Sequence, residues 1–204
     1  MRKDKIIESI RGYILKREAM SDDQKQIHPA RVEVAINQVF SDLMFAFHLN
    51  GNNYELDNYT KTFYAQEIKR VNKRDYVEIP TQVLNLPNGR GIRSVVACDN
   101  GANFIPANLR LNSVTKGLPV GSVMNKTTFR LGQISGVTGN VLVLDHYGDR
   151  YKLIEAVDLS IIRPFEAYDM DEDVYMPEGR ELEMLQATLQ LLGFRYTDNI
   201  NNNE

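Results

Sequence analysis

A single cysteine, Cys98, is too few for an internal disulfide, so the fold must rest on packing alone. Inside Val95-Val96-Ala97-Cys98 it reads as a small strand residue rather than a reactive thiol. Long apolar runs are missing as well. No stretch approaches the roughly 18 apolar residues that a membrane-spanning helix needs. The start, MRKDKIIESI, has no apolar segment of the signal-peptide kind, and the expectation is a soluble protein made and kept in a cytoplasm. Charge of one sign is scarce too: a net −3 at pH 7 argues against a general nucleic-acid coat.

Catalytic signatures are equally scarce. There is no G-x-S-x-G, no P-loop, no H-E-x-x-H and no G-x-G-x-x-G opening a helix. His28, His48 and His146 fall on a connector, a helix end and a hairpin, without the spacing of a metal site. Asp169-Met170-Asp171-Glu172-Asp173 begins like a calcium loop, but Val174 and Arg180 stand where such a loop needs Gly and Glu. The run reads as a solvated acidic linker. These absences lead to the expectation of a non-enzymatic protein with no catalytic residue, cofactor or metal.

What is present is organised around Pro29–His48. Val32, Ile36, Val39, Phe40, Leu43 and Phe47 recur at the period of one helical face. Pro29 suits the first helical position, and Asn50-Gly51 supplies a left-handed stop. Upstream, Ile6, Ile7, Ile10 and Ile14 predict an amphipathic helix over 3–18, joined by a short polar connector and so an antiparallel neighbour. A short helix is expected over Tyr54–Phe63. At the other end Leu182, Leu185, Leu189 and Leu192 form a second strong stripe stopped by Gly193. That stripe needs a cover, and the simplest closure lays it on Pro29–His48. The tail from Asn199 to Glu204 is too polar to pack.

Between the helices the character changes to β-branched and aromatic residues broken by Gly, Pro and Asn. Phe63–Val71 and Tyr76–Ile79 flank Asn72-Lys73-Arg74-Asp75, a hairpin connection. Gly91–Cys98 reads as a strand between Asn-Gly turns, with Pro80 and Pro87 keeping the preceding piece at an edge or in a loop. Thr127–Ile134 and Asn140–Asp145 enclose Ser135-Gly136-Val137-Thr138-Gly139, where the glycines allow positive φ. Tyr151–Ile154 and Val157–Arg163 follow. The fold class is therefore α+β: a helical body from 1–61 plus 170–204, and an inserted β-domain over 62–169, an antiparallel sandwich or small barrel.

The ends carry opposite charge. Arg2, Lys3, Lys5, Arg11, Lys16 and Arg17 outnumber Asp4, Glu8 and Glu18, whereas 166–183 holds eight carboxylates against Arg180. Either these are two solvated faces, or the ends attract, within one subunit or between copies. The loop Pro87–Arg93 sets Arg90 and Arg93 on a glycine-rich turn, which serves as a strand connection or as a recognition loop for phosphate or carboxylate.

The segments SDDQKQIHPARVEVAINQVFSDLMFAFHLNG, LNLPNGRGIRSV and VYMPEGRELEMLQATLQLLG, in this order and with a Tyr-rich switch into strands after the first, carry a resemblance. The chain resembles virion structural proteins of short-tailed phages of Bacteroidetes, the crAss-like phages among them, of the head-to-tail adaptor or neck ring kind. The resemblance covers most of the chain. It implies a ring homo-oligomer, twelve-fold, in the virion neck between portal and tail, assembled in the host bacterial cytoplasm. The implied partners are further copies of the chain, the portal protein, other neck or tail ring proteins, and packaged DNA passing without sequence recognition; no membrane is involved. Opposite terminal charges would suit head-to-tail contacts that close a ring. In such adaptors the C-terminal extension reaches the portal, which makes Phe194, Tyr196 and Ile200 the expected contacts, and Met44 lies among positions expected to meet a neighbouring subunit. The alternative from the residues alone is a nucleic-acid-binding β-barrel using Lys69, Arg70, Lys73, Arg74, Arg90 and Arg93.

Overall fold

The computed structural model describes residues 1–15, 28–72, 74–87, 90–99, 101–107, 127–145, 154–176 and 180–194. Among these residues the chain is a mixed α+β fold with four α-helices and two sheets, of three and five strands. It divides into two compact units, Met1–Tyr59 with Pro164–Glu204, and Thr60–Arg163. Against the expected boundaries at 62 and 169, the division places Phe165 and Tyr168 with the helices, because both pack their rings there.

In the helical unit, α1 (Lys3–Leu15) buries the predicted isoleucines Ile6, Ile7, Ile10 and Ile14. Helix α2 (Pro29–Leu49) opens with Pro29 at its first turn, and His28 Nδ1 accepts the Ala30 N–H at 3.2 Å, an imidazole in the role usually taken by Ser or Asp. It closes as the sequence suggests, with Gly51 at φ +69° and the Gly51 and Asn52 amides donating back to His48 O and Phe47 O. The buried stripe of α2 is Val32, Ala35, Ile36, Phe40, Met44 and Phe47. Met44 is fully buried, so it is core and not a subunit contact as expected. Helix α3 (Asn53–Asn58) is shorter than expected, and Phe63 belongs to a strand.

Helix α4 (Arg180–Leu191) packs on α2 and α1, and α2 also meets α1, α3 and the 3₁₀ turn Phe165–Ala167. Its stop is a Schellman arrangement: Gly193 at φ +89° donates to Gln190 O at 3.0 Å and Phe194 N–H to Leu189 O at 2.8 Å. Of the expected leucine stripe, Leu189 and Leu192 are buried and Leu185 is half-buried, while Leu182 is exposed; Met184 and Thr188 complete the buried face. Leu182 sits in the first turns, on an open recess of about 260 Å³ with Met1, Ile6 and Ile10. The cover of Phe40 is chiefly aromatic. Its ring lies 5.5 Å from Tyr59, 6.1 Å from Phe165 and 6.3 Å from Tyr168, and Tyr59 in turn meets Phe47 and Tyr175.

The oppositely charged ends meet inside the chain. Lys3 and Asp4 donate their amides to Glu172 O and Met170 O, and Arg2 and Asp173 form an antiparallel bridge. The Lys3 side chain is buried, with its ammonium 2.6 Å from Glu33 and hydrogen-bonded to the carbonyls of Tyr168 and Glu166 at 2.9 and 3.2 Å. Burying a lysine is tolerable only with such full pairing. The end segments are thus joined mainly through their main chains: among the described residues the ion pair between them is that of the Met1 α-amino group with Asp173 at 3.7 Å, while Arg2 and Lys5 pair locally with Asp4 and Glu8.

In the second unit the sheets are separate and not closed into a barrel. One has the order β1–β8–β4, with β1 (Thr60–Glu67), β4 (Ile92–Ala97) and β8 (Ala156–Ile162), all antiparallel. The other runs β2–β3–β7–β6–β5, with β2 (Lys69–Val71), β3 (Arg74–Glu78), β7 (Val141–Asp145), β6 (Thr128–Gly132) and the short parallel β5 (Ile105–Pro106). One buried cluster draws Val95, Leu159 and Ile161 from the first sheet and Val77, Phe129, Leu142 and Leu144 from the second. Val141 and Val143 fill a smaller cluster with Tyr76 and Ile134, so β7 is apolar on both faces.

The hairpin glycines Gly136 and Gly139 do take positive φ, +87° and +90°. The expected 72–75 connection is tighter than read: Val71 pairs with Arg74, leaving two residues between the strands, with Asn72 at φ +50°. The single strand expected over 63–71 is broken at Ile68, whose amide donates to Glu155 O, and its halves go to different sheets. The Tyr151–Ile154 strand falls largely outside the described residues.

Candidate functional site

The outer side of α2 is the most conspicuous candidate. At 100° per residue Val34, Phe45 and Leu49 fall together, opposite the Val32–Phe47 stripe. They are 69%, 42% and 67% exposed. Tyr54 in α3 is exposed beside the helix in sequence. Isolated surface apolar residues are ordinary, but here three turn to one side of a single helix with no cover among the described residues, Gln38 and Asp42 lying between Val34 and Phe45. The sequence signal was available: these residues break an otherwise polar outer face.

The candidates named from sequence are scattered. Arg90 and Arg93 are half-buried, Arg90 in the turn before β4 with its amide donating to Pro87 O at 3.2 Å, and Arg93 within β4. Phe194 is half-buried and caps α4; Tyr196 and Ile200 lie outside the described residues. In the basic hairpin, Arg70 grips Asp75 with Nε at 2.5 Å and Nη2 at 2.8 Å, and Lys69 pairs with Glu78 at 2.9 Å. Those two cations already face carboxylates, Arg74 is exposed, and Lys73 is outside the described residues. This is poor material for a phosphate-tracking surface, and the barrel it would need is not formed.

Cys98 lies just past β4 and is exposed, a correction to its reading as a strand residue. Its Sγ donates to Asp158 Oδ1 at 3.3 Å, and the same oxygen accepts the amide of Ala65, which sits at φ +51° in a bulge of β1. Desolvation and then the Asp158 carboxylate raise the thiol's pKa above its ordinary value, opposite to an activated nucleophile. Alkylation by iodoacetamide at mildly alkaline pH is therefore expected to be slower than for a free cysteine. Asp158→Asn, which removes the neighbouring charge, lowers that pKa and speeds the reaction severalfold; an unchanged rate would show that Asp158 does not control the thiol.

The buried ring of Tyr59 carries a hydroxyl without a hydrogen-bond partner among the described residues, as does Glu55 Oε2. Burial first, and then the Glu55 carboxylate, push the phenol well above its usual range, with Arg180 opposing. Tyr59 is thus a neutral member of the aromatic core at any physiological pH. Among the described residues no three His, Cys, Asp or Glu side chains converge to hold a metal ion, and no helix is long and apolar enough to cross a membrane.

No protein-family model matches the chain, and no curated protein matches it.

Proposed function

We propose that the chain is a non-enzymatic virion structural protein that forms a ring in the neck of a short-tailed phage, joining portal to tail around the DNA channel. The outward apolar residues of α2, Val34, Phe45 and Leu49, uncovered among the described residues, are the observation that carries this reading: a subunit that assembles side by side needs apolar anchors on a rigid element. The order helices, β-insertion, helix agrees with the resemblance. In this reading the helical unit is the assembly body, and the β-unit is a two-sheet sandwich, supported by the buried cluster shared between its sheets. The main chains of the two end segments are joined within the subunit, and Arg2, Lys5, Asp171 and Asp173 stay exposed, where they can serve head-to-tail contact. Phe194, with Tyr196 and Ile200, is assigned to the portal, and Arg90 and Arg93 to carboxylates of neighbouring ring proteins.

Electron microscopy of the purified protein, alone and mixed with its portal, tests this. Rings or a ring–portal complex are expected. Val34→Glu and Phe45→Glu should abolish assembly while shifting stability by no more than about 1 kcal/mol, since both positions are largely open to water in the subunit. A wild-type chain that stays monomeric with the portal would overturn the proposal. So would charged variants that still form rings.

A further inference from the structure

A ring of identical subunits needs two different surfaces on each copy, because a surface that pairs with itself closes at the dimer. On the ring reading above, the outer side of α2 is one of them, and the other must receive it. A receiver for aliphatic side chains is concave and apolar, and it lies elsewhere on the same helical unit.

The recess between α1 and α4 has these properties. Ile6, Ile10 and Met184 line it as buried residues, Leu185 and Met176 as half-buried ones, and Leu182 stands exposed at its edge. Its volume of about 260 Å³ lies below the roughly 300–1,000 Å³ of small-molecule sites, so it suits a protruding side chain better than a metabolite. Helix α2 packs on both α1 and α4, and Val34 is on the side of α2 opposite its buried stripe. Donor and receiver are therefore on different sides of one unit, the arrangement of a head-to-tail contact.

Charge selects the occupant. Arg31, one turn before Val34, is exposed on the outer side of α2, and Glu181 is exposed where it lines the recess. Neither forms an ion pair among the described residues, whereas Arg180 is engaged with Glu183. A chain whose Val34 enters the recess brings its Arg31 toward Glu181, since residues three apart on a helix are surface neighbours. Phe45 is the poorer guest. It stands about 16 Å further along α2, at 1.5 Å per residue, and is flanked by Asp42, whose carboxylate would oppose Glu181.

We propose that the α1–α4 recess receives Val34 of a second copy of this chain, with that copy's Arg31 set against Glu181, and that repetition of this contact builds the ring. The apolar contact supplies the affinity. The ion pair fixes its direction, because exposed pairs add little affinity by themselves.

Two blocked variants of the full-length chain test it. Val34→Glu spoils the donor and Leu182→Glu the receiver, both at exposed positions, so melting temperatures close to wild type are expected. Each variant alone should stay monomeric. An equimolar mixture should sediment as a heterodimer and grow no further, because one intact donor then meets one intact receiver. In a Cys98→Ser background, Val34→Cys and Leu182→Cys chains should form a disulfide when mixed and not separately. Arg31→Glu and Glu181→Arg should each weaken association severalfold and restore it when combined in one chain. The proposal fails if the mixture stays monomeric without a mixed disulfide, if Leu182→Glu assembles like wild type, or if the combined reversal restores nothing. Wild-type rings beside an unpaired mixture would remove this contact and leave the ring reading standing. A mixture that pairs while the wild-type chain and its portal form no ring would keep the contact and remove the ring reading.

Discussion

Phe40→Ala is expected to destabilise the helical unit by about 3–5 kcal/mol, the usual cost of emptying a large aromatic site. Phe40 is fully buried, and three other rings surround it: Tyr59, Phe165 and Tyr168, at centroid distances of 5.5, 6.1 and 6.3 Å. The void cannot close cheaply, because each neighbour is anchored elsewhere. Tyr59 is held by Phe47 and Tyr175, and Tyr168 by the Lys3 ammonium on its carbonyl. Against a typical total stability of about 5–15 kcal/mol, such a loss leaves the unit marginal or unfolded. Chemical denaturation followed by circular dichroism measures it, with Phe45→Ala on the opposite side of α2 as the comparison. Phe45 is 42% exposed and should lose about 1 kcal/mol or less. Equal losses at the two positions would contradict the division of α2 into an inner core face and an outer contact face.

Gly91→Ala should cost the β-unit about 2–4 kcal/mol, the range of a forced backbone shift in a packed site. A Cβ at Gly91 would stand 2.0 Å from Leu84 O and 2.9 Å from Val83 Cγ1. Neither wall yields easily. Ile162 donates its amide to Gly91 O and accepts the Leu84 amide, both at 2.8 Å, so one residue ties both segments to the edge of β8. The glycine is required here by close approach of two backbones rather than by its own φ. Thermal unfolding reads the loss, and amide exchange should quicken first at Leu84 and Ile162. A melting temperature unchanged from wild type would mean that the Val83–Leu84 segment is not held against Gly91 as described.

The legible parts of this fold are those specified by neighbours in the chain. The stripe on α2, the isoleucines of α1, the Gly51 and Gly193 stops and the positive φ at Gly136 and Gly139 all follow from periodicity or from backbone freedom at one residue. The outer apolar line of α2 was written in the same periodicity, at Val34, Phe45 and Leu49. On α4 the leucine pattern found Leu189 and Leu192 but placed the exposed Leu182 in the core and passed over Met184 and Thr188, because leucines outweigh a methionine and a threonine in a pattern count.

Local sequence determined that Pro29–His48 would be a helix with one face in need of cover, and that strands would fill the middle of the chain. Tertiary structure alone decided what the cover is. Phe40 meets aromatic rings from Tyr59 and from Phe165 and Tyr168, more than a hundred residues away in the second case, and no periodicity within α2 encodes partners at that distance. The same holds for Lys3, charged and apparently solvent-facing in sequence, yet buried because Glu33 and two carbonyls of the returning chain converge on its ammonium. Burial of one side chain depends on the positions of all the others, and those are set only when the whole chain has packed.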